Sequence, residues 1–339
     1  MKEEMKIIEH NLDIEGLKFR KFEGDSDFPK MLAVIDAAAA VDGDETSTTV
    51  EDIKNDYQHL TNSDPEKDMI FAEVDGDVVA YSRVAWFTEE KPEKAIYMHF
   101  VHIHPDWRHQ GLEKTMIKWC EDRLKNIAEE NPQGHPRLYQ TFSNELKPEL
   151  NSILEELGYQ PVRYFIEMCR DLNNLPEAEL PKGVEVRPVA EEEVHKIWKA
   201  SVEAFRDHWG FVEPSEEDFE GYKKSKYFQP DLWQVAWHGD QVVGSVLNYI
   251  DHDYNQKYNK KRGMTEEITT HRDWRRKGIA GALIVRSMKM HKAKGMEEVA
   301  LGVDTNNLTG ALRLYQSLGY EKEKTMMTYR KPMEESEEI

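Results

Sequence analysis

Seven consecutive residues, Arg275-Arg276-Lys277-Gly278-Ile279-Ala280-Gly281, stand between a strand-like stretch and a helix-like one. The first amides of a helix have no intrahelical acceptor and point out of its N-terminus. Aligned peptide dipoles add partial positive charge there, which makes the place suited to an anion. Gly278 and Ala280 keep bulky side chains away from that backbone, and the cations Arg275, Arg276 and Lys277 supplement the field. A pyrophosphate is the natural guest of such a loop. Taken alone, the same residues would also make a basic turn before an ordinary helix.

The elements around the loop are legible from periodicity. A strand from Met264 to Thr270 leads in and a helix from Ile279 to Lys294 leads out. A strand from Val299 to Val303 follows, then a helix from Thr309 to Leu318 stopped by Gly319, and a last strand from Thr325 to Arg330. Upstream, Val184 to Arg187 reads as a short strand, and Val194, Ile197, Trp198, Val202 and Phe205 fall in helical stretches. Trp233 to Trp237 and Gln241 to Ile250 flank the turn His238-Gly239-Asp240 as a β-hairpin.

The chain then proves to be a duplication. Asp106 to Leu112 reads DWRHQGL and Asp273 to Ile279 reads DWRRKGI, each preceded two positions earlier by a histidine, His104 and His271. Phe19-Arg20 recurs as Val186-Arg187, Asp75-Gly76-Asp77 as His238-Gly239-Asp240, and Leu157-Gly158-Tyr159 as Leu318-Gly319-Tyr320, in the same order and at nearly constant spacing. The N-terminal half accordingly carries strands at Ile70–Val74, Val78–Trp86 and Ala95–Ile103. A helix from Leu112 to Ile127 follows, with Leu112, Met116, Trp119, Cys120, Leu124 and Ile127 on one face. Asp171 to Gly183, with two prolines and polar residues, reads as the linker. The expected division is 1–172, a linker at 173–183, and 184–333.

Composition narrows the function. With 339 residues, 39% hydrophobic and 32% charged, the chain is globular and long enough for two domains. No apolar run reaches the roughly 18 residues a membrane span needs, and Met1 to His10 lacks the apolar core of a secretory signal, so the expected location is the cytoplasm. Forty-five basic against 65 acidic residues give a net charge of −20, which argues against nucleic acid and steers cationic small molecules weakly. The two cysteines, Cys120 and Cys169, form no C-x-x-C pair and no disulfide framework.

Arg275, Gly278 and Ala280 after a strand, followed by Asn307, Ala311, Leu314, Tyr315, Leu318, Gly319 and Tyr320, resemble the GNAT acyltransferase superfamily. The N-terminal half looks like a second, diverged member, and the tandem arrangement is similar to that of mycothiol synthase-like proteins. The resemblance implies an α/β (α+β mixed) fold of two domains. Each would be a mixed, mainly antiparallel twisted sheet, splayed at its centre and flanked by helices. It implies acetyl-CoA as co-substrate, with its pyrophosphate on the amides of Arg275, Arg276, Lys277, Gly278, Ile279 and Ala280. Its pantetheine arm would lie along the strand carrying Ile268 and Thr270, with Asn307 nearby. The Asn307-to-Tyr315 spacing is one residue longer than the family's usual.

In such an enzyme an amine attacks the acetyl carbonyl directly, and a primary amine with a pKa near ~10 must first lose a proton. Glu266 is the expected base, since strand alternation puts it on the face of Ile268 and Thr270. Glu267, on the opposite face, is the alternative because a slip of one residue exchanges them. Tyr315 is the expected acid for the departing thiolate. The function implied is acetyl transfer to a small, cationic amine by a monomer or homodimer. A non-catalytic acyl-CoA-binding or sensing protein would use the same loop.

The N-terminal half departs from the pattern. Glu113 occupies the position of Ala280, Leu154 replaces Tyr315, and His99 aligns with Glu266. This half is expected to shape or support rather than catalyse. His102 and His104 share a strand face without a visible third metal ligand. Asp251 to Asn255 reads as an exposed loop, and Ala204 to Gly221, rich in aromatics and acids, as a wall of the acceptor site.

Overall fold

The computed structural model describes residues 12–131, 134–307 and 309–334. Two compact units emerge, one of Met1–Arg163 with Met326–Ile339 and the other of Tyr164–Thr325. In chain order the elements of the first half are β1 (Leu17–Arg20), α1 (Phe28–Asp42), α2 (Val50–Gln58), α3 (Pro65–Asp68), β2 (Met69–Val74), β3 (Asp77–Glu90), β4 (Glu93–Ile103), α4 (Leu112–Glu130), β5 (Arg137–Asn144), α5 (Pro148–Glu156) and β6 (Gln160–Asp171). The second half follows with β7 (Glu185–Val186), α6 (Val194–Phe205), α7 (Glu216–Lys224), β8 (Gln234–His238), β9 (Gln241–Tyr249), α8 (His252–Tyr258), β10 (Arg262–Thr270), α9 (Ile279–Ala293), β11 (Glu298–Asp304), α10 (Ala311–Ser317) and β12 (Glu321–Pro332).

In the first unit β1 to β4 pair antiparallel, β5 joins β4 in parallel, and β12 closes the sheet antiparallel to β5 through Met326–Pro332. In the second, β7 to β10 pair antiparallel, β11 joins β10 in parallel, and β6 closes the sheet against β11 through Phe165–Asp171. Both sheets are thus mixed and mainly antiparallel, with one topology. The larger part of the strand that ends each half in sequence, from Tyr164 in β6 and from Met326 in β12, belongs to the other compact unit, whereas the expected division followed chain order. β12 brings Tyr329 into the first unit's core and buries Arg330 against Glu89 and Gln140. Similarly, β6 brings Met168 into the second unit's core.

The helix behind each parallel junction forms where the sequence repeats an apolar face. Ile279, Leu283, Ile284 and Met288 of α9 pack on Val243, Val246, Val299 and Leu301, each burial contributing about 1.5–3 kcal/mol. The helix lies close because two glycines let it. A Cβ on Gly244 would stand 2.8 Å from Ile279, and one on Gly263 would stand 2.2 Å from the ring of His291. That ring is buried, which pushes its pKa down to about 4, so it stays neutral. Asp251 corrects the reading of an exposed loop after β9. It is nearly buried, and its side chain accepts from the amide of Tyr254 at 2.9 Å as the N-cap of α8.

Candidate active site

Both histidines of the repeated motif cap the turn before the loop. His271 Nδ1 accepts from the Asp273 amide at 3.3 Å, and His104 Nδ1 from the Asp106 amide at 3.4 Å. The chain then passes through Arg276 at φ 60° and Gly278 at φ 83° into α9. The first amide of this stretch to find a backbone acceptor is Ala282, on Gly278 at 3.0 Å. Among the described residues, the six amides from Arg276 to Gly281 have no acceptor. Nothing lies within 4 Å of where a Gly278 side chain would begin. The Arg275 amide, expected among the open donors, is instead paired with the Arg272 carbonyl at 3.3 Å, so the run of open N–H groups begins at Arg276. The guanidinium of Arg275 is engaged elsewhere, on Asp207 at 3.0 Å and the Ala204 carbonyl at 3.3 Å. It braces the loop, while Lys277 lies over the Trp274 ring and Arg276 is left in solvent.

Opposite the loop, β10 and β11 pair only from Arg262 to Met264 and then part. At that point β10 bulges. Glu266 faces Leu247 across the sheet, but Thr269 faces Ser245, and Glu267 takes a left-handed φ of 47°. The bulge overturns the expected alternation. Thr265 bonds Tyr320 at 2.9 Å and Ile268 packs against the cluster containing Tyr320, so residues three apart reach the α9 side. Glu266 is opposite Leu247, which belongs to the cluster with Val194 and Ile197 of α6, so it does not share the face of Ile268. Glu267 accepts from Ser201 of α6 at 3.2 Å. Both carboxylates therefore lie on the α6 side, rather than on opposite faces.

Glu266 accepts from the Gly302 amide at 3.1 Å, across the gap between the parted strands. Burial, and then the charge of Glu267, push its pKa up to about 8 against the opposing pull of that amide. Glu267 is raised as well, by burial, with the Ser201 hydroxyl opposing. It opens to solvent, and water there offsets much of its penalty. The Tyr315 ring is buried on α10. Its phenol is raised by burial and by the nearby charge of Glu266, and so stays protonated. Thr270 ends β10 opposite Gly244. The Asn307 side-chain oxygen is engaged within its own turn, accepting from the Thr309 amide at 2.7 Å before α10.

Ser201, Tyr222 and Tyr249 give no sign in sequence of their place beside the two glutamates, and Asp207, within the stretch read as a wall of the acceptor site, serves instead to hold Arg275. Among the described residues no group of three or more His, Cys, Asp or Glu side chains is set to hold a metal, and no helix is long and apolar enough to cross a membrane. A cavity of about 490 Å³ lies near the far end of α9. Its Lys261 and Lys292 are taken up by Glu297 and by the Leu172 and Asn173 carbonyls, so it offers no open chemistry.

The first unit repeats the loop with a different occupant. His109 has φ 64° and Gly111 φ 86°, matching Arg276 and Gly278. Here the Glu113 carboxylate folds back onto the His109 amide at 3.0 Å, and Leu154, in place of a tyrosine, is buried in the core. His99 lies across β3 from Val84 and meets Tyr159 at 2.9 Å. Its counterpart by contact is Thr265, which meets Tyr320, and not Glu266 as the sequence alignment had it. The extra residue of the β10 bulge accounts for the slip. Burial takes the His99 pKa down to about 3.

A strand paired with its parallel neighbour over only a few residues, beside a left-handed turn into a helix, occurs twice in the chain, and in the second unit the amides of that turn are open. The profile of the Acetyltransferase (GNAT) family matches residues 35–131 and 194–320, and the chain belongs to that family. A mycothiol acetyltransferase of Geodermatophilus obscurus is 22% identical over 307 residues, covering 89% of this chain and 93% of that protein. One from Streptomyces scabiei is 24% identical over 309 residues, covering 88% and 90%. Among solved structures, a GCN5-related N-acetyltransferase from Sphaerobacter thermophilus superposes with a TM-score of 0.71 at 24% identity, over 96% of this chain and 98% of that one. A tandem GNAT protein from the clavulanic acid biosynthesis pathway does so with a TM-score of 0.65 at 12% identity, over 95% of this chain and all of the other. These two show the shared tandem fold.

Proposed function

We propose that the protein is an acetyl-CoA-dependent N-acetyltransferase of the cytoplasm that acts on a small cationic amine, with the second unit catalytic. The observation that carries this reading is the run of six unpaired amides from Arg276 to Gly281, open in front of Gly278. Those residues fit a diphosphate, because they offer donors and a helix dipole without a side chain in the way. Bound acetyl-CoA supplies an activated acetyl thioester. The chain's own residues do the rest. Glu266, once ionised, takes a proton from the acceptor ammonium, and the freed amine forms the C–N bond as the C–S bond breaks. Tyr315, protonated at every pH of interest, gives the departing sulfur its proton and regains one from the acylated nitrogen as it becomes an amide. Asn307, Ile268 and Thr270 are assigned to the pantetheine side of the cleft. The similarity to mycothiol acetyltransferases along most of the chain supports acetyl transfer.

The test is thermal denaturation with and without acetyl-CoA, paired with release of free thiol across a panel of amines. Stabilisation and thiol release are expected in the wild type, and absence of both would refute the assignment. Glu266→Gln and Tyr315→Phe separate an enzyme from a sensor. In an enzyme they lower turnover while acetyl-CoA still stabilises the fold.

A further inference from the structure

Glu266 and Glu267 differ from the other carboxylates of their neighbourhood. Asp207 is paired with Arg275 at 3.0 Å, Glu167 with Lys324 at 3.2 Å, and Asp251 with Lys226 at 3.3 Å. Neither Glu266 nor Glu267 has a cationic partner among the described residues. Their polar contacts are the Gly302 amide for the first and the Ser201 hydroxyl for the second. A regular strand would send the two side chains to opposite faces. The bulge, held with a glutamate in the left-handed region that such residues seldom adopt, brings both to the α6 side. Strain of that kind persists where the surroundings impose it and is concentrated at working sites.

The two carboxylates aim differently, Glu266 across the parted strands toward the Gly302 amide of β11 and Glu267 toward Ser201 of α6, which gives each its own approach for a cation. Tyr249 stands two residues from Leu247 on β9, on the face to which Glu266 points, and Tyr222 packs on the cluster that holds Leu247 and Ile197. Their rings are fixed by neighbours, Tyr222 stacked parallel to Trp233 and Tyr249 at 4.8 Å from Tyr227. Such rings receive methylenes and cations on their faces. Two carboxylates without counter-charges thus stand beside aromatic rings on one side of the sheet.

We infer that the acceptor is a small diamine, whose reacting amine meets Glu266 while a second ammonium is held by Glu267, the residue that sets specificity. This rests on the N-acetyltransferase reading above. A monoamine leaves Glu267 unpaired in the cleft, and the cost of that falls on binding rather than on the bond-making step.

The experiment compares 1,4-diaminobutane with 1-aminobutane, in the presence of CoA for calorimetric binding and of acetyl-CoA for thiol release. The wild type should bind the diamine at least about tenfold more tightly, a difference that one ion pair commonly supplies. Measured on the plateau of the pH profile, at about pH 9, where Glu266 is ionised with or without its neighbour, Glu267→Gln should erase the difference through KM, with kcat changed less than about threefold, and Ser201→Ala should do so in part. A series from 1,2-diaminoethane to 1,5-diaminopentane should show an optimum length. Equal binding of both amines by the wild type, binding of neither, or equal weakening of both by Glu267→Gln overturns the inference. Failure of the parent reading shows separately, as the absence of any acetyl-CoA-dependent stabilisation or thiol release.

Discussion

The Glu113 carboxylate accepts a hydrogen bond from the backbone N–H of His109 at 3.0 Å, so α4 is capped by an anion the chain itself supplies. Arg276 and Ala280 stand at the same interval in the second unit, with the same left-handed backbone at the first position. Ala280→Glu should therefore place a carboxylate on the Arg276 amide. Unliganded stability should stay within about 1 kcal/mol of wild type or rise, as an N-terminal acid interacts well with the dipole. The stabilisation by acetyl-CoA should vanish. Thermal denaturation with and without acetyl-CoA reads both quantities.

Gly278 adopts φ 83°, which an L-residue with a Cβ adopts at a cost of about 1 kcal/mol or more. Open space surrounds it, so Gly278→Ala adds strain without a clash. Urea unfolding should show a loss of about 1 kcal/mol at unchanged m-value.

The pH profile follows from the sign of the Glu266 shift. A base must be ionised to work, and with its pKa near 8 only about a tenth is ionised at pH 7. The value kcat/KM should rise with pH up to about 8 and then level. The two glutamates titrate as a pair. Removing one like charge in Glu267→Gln should move the ascending limb to lower pH, and an unmoved limb would mean that Glu267 does not act on Glu266.

Tyr315→Phe removes the proton donor and leaves the ring in its core position. A loss in kcat of about 10²-fold is expected, with acetyl-CoA binding retained. A leaving group more acidic than CoA should narrow the loss, since it needs less protonation to depart.

Arg330 is almost fully buried, and its guanidinium is held by Glu89 and by Gln140 at 2.8 Å. Arg330→Met leaves Glu89 buried without a counter-charge and should cost about 3–5 kcal/mol. Glu89→Leu combined with Arg330→Met should recover much of that, since a packed apolar pair removes both desolvation penalties. Chemical denaturation of the single and double variants closes the cycle.

The sequence revealed the features written in local order. The two DWR loops, the helices behind them and the glycine stop before Tyr320 are set by capping, periodicity and left-handed backbone, all readable over a few residues. The four-residue run Ala37 to Ala40 made α1 hard to see, because it gives that helix a weak apolar stripe. The β10 bulge was invisible because Glu266 and Glu267 each suit a regular strand. Only the partner register shows the extra residue, and with it fell the predicted faces and the match of His99 to Glu266. Glu113 was recognised as an anion in the wrong place, but its return to His109 depends on a rotamer that no pattern encodes. Ser201 on Glu267 and Asp207 on Arg275 are pairings across more than sixty residues, and composition carries no trace of them.

The exchange of β6 and β12 fixes an order of events during synthesis. When Asn144 leaves the ribosome, β5 has its parallel partner β4, but the strand for its other edge lies at Met326–Pro332, beyond the whole of the second unit's own strands. The unit that is made first is therefore finished last. From the synthesis of β5 until Met326–Pro332 emerges it exposes a strand edge open to mispairing, so the protein should lean on chaperones or on slow elongation more than the small size of its units suggests.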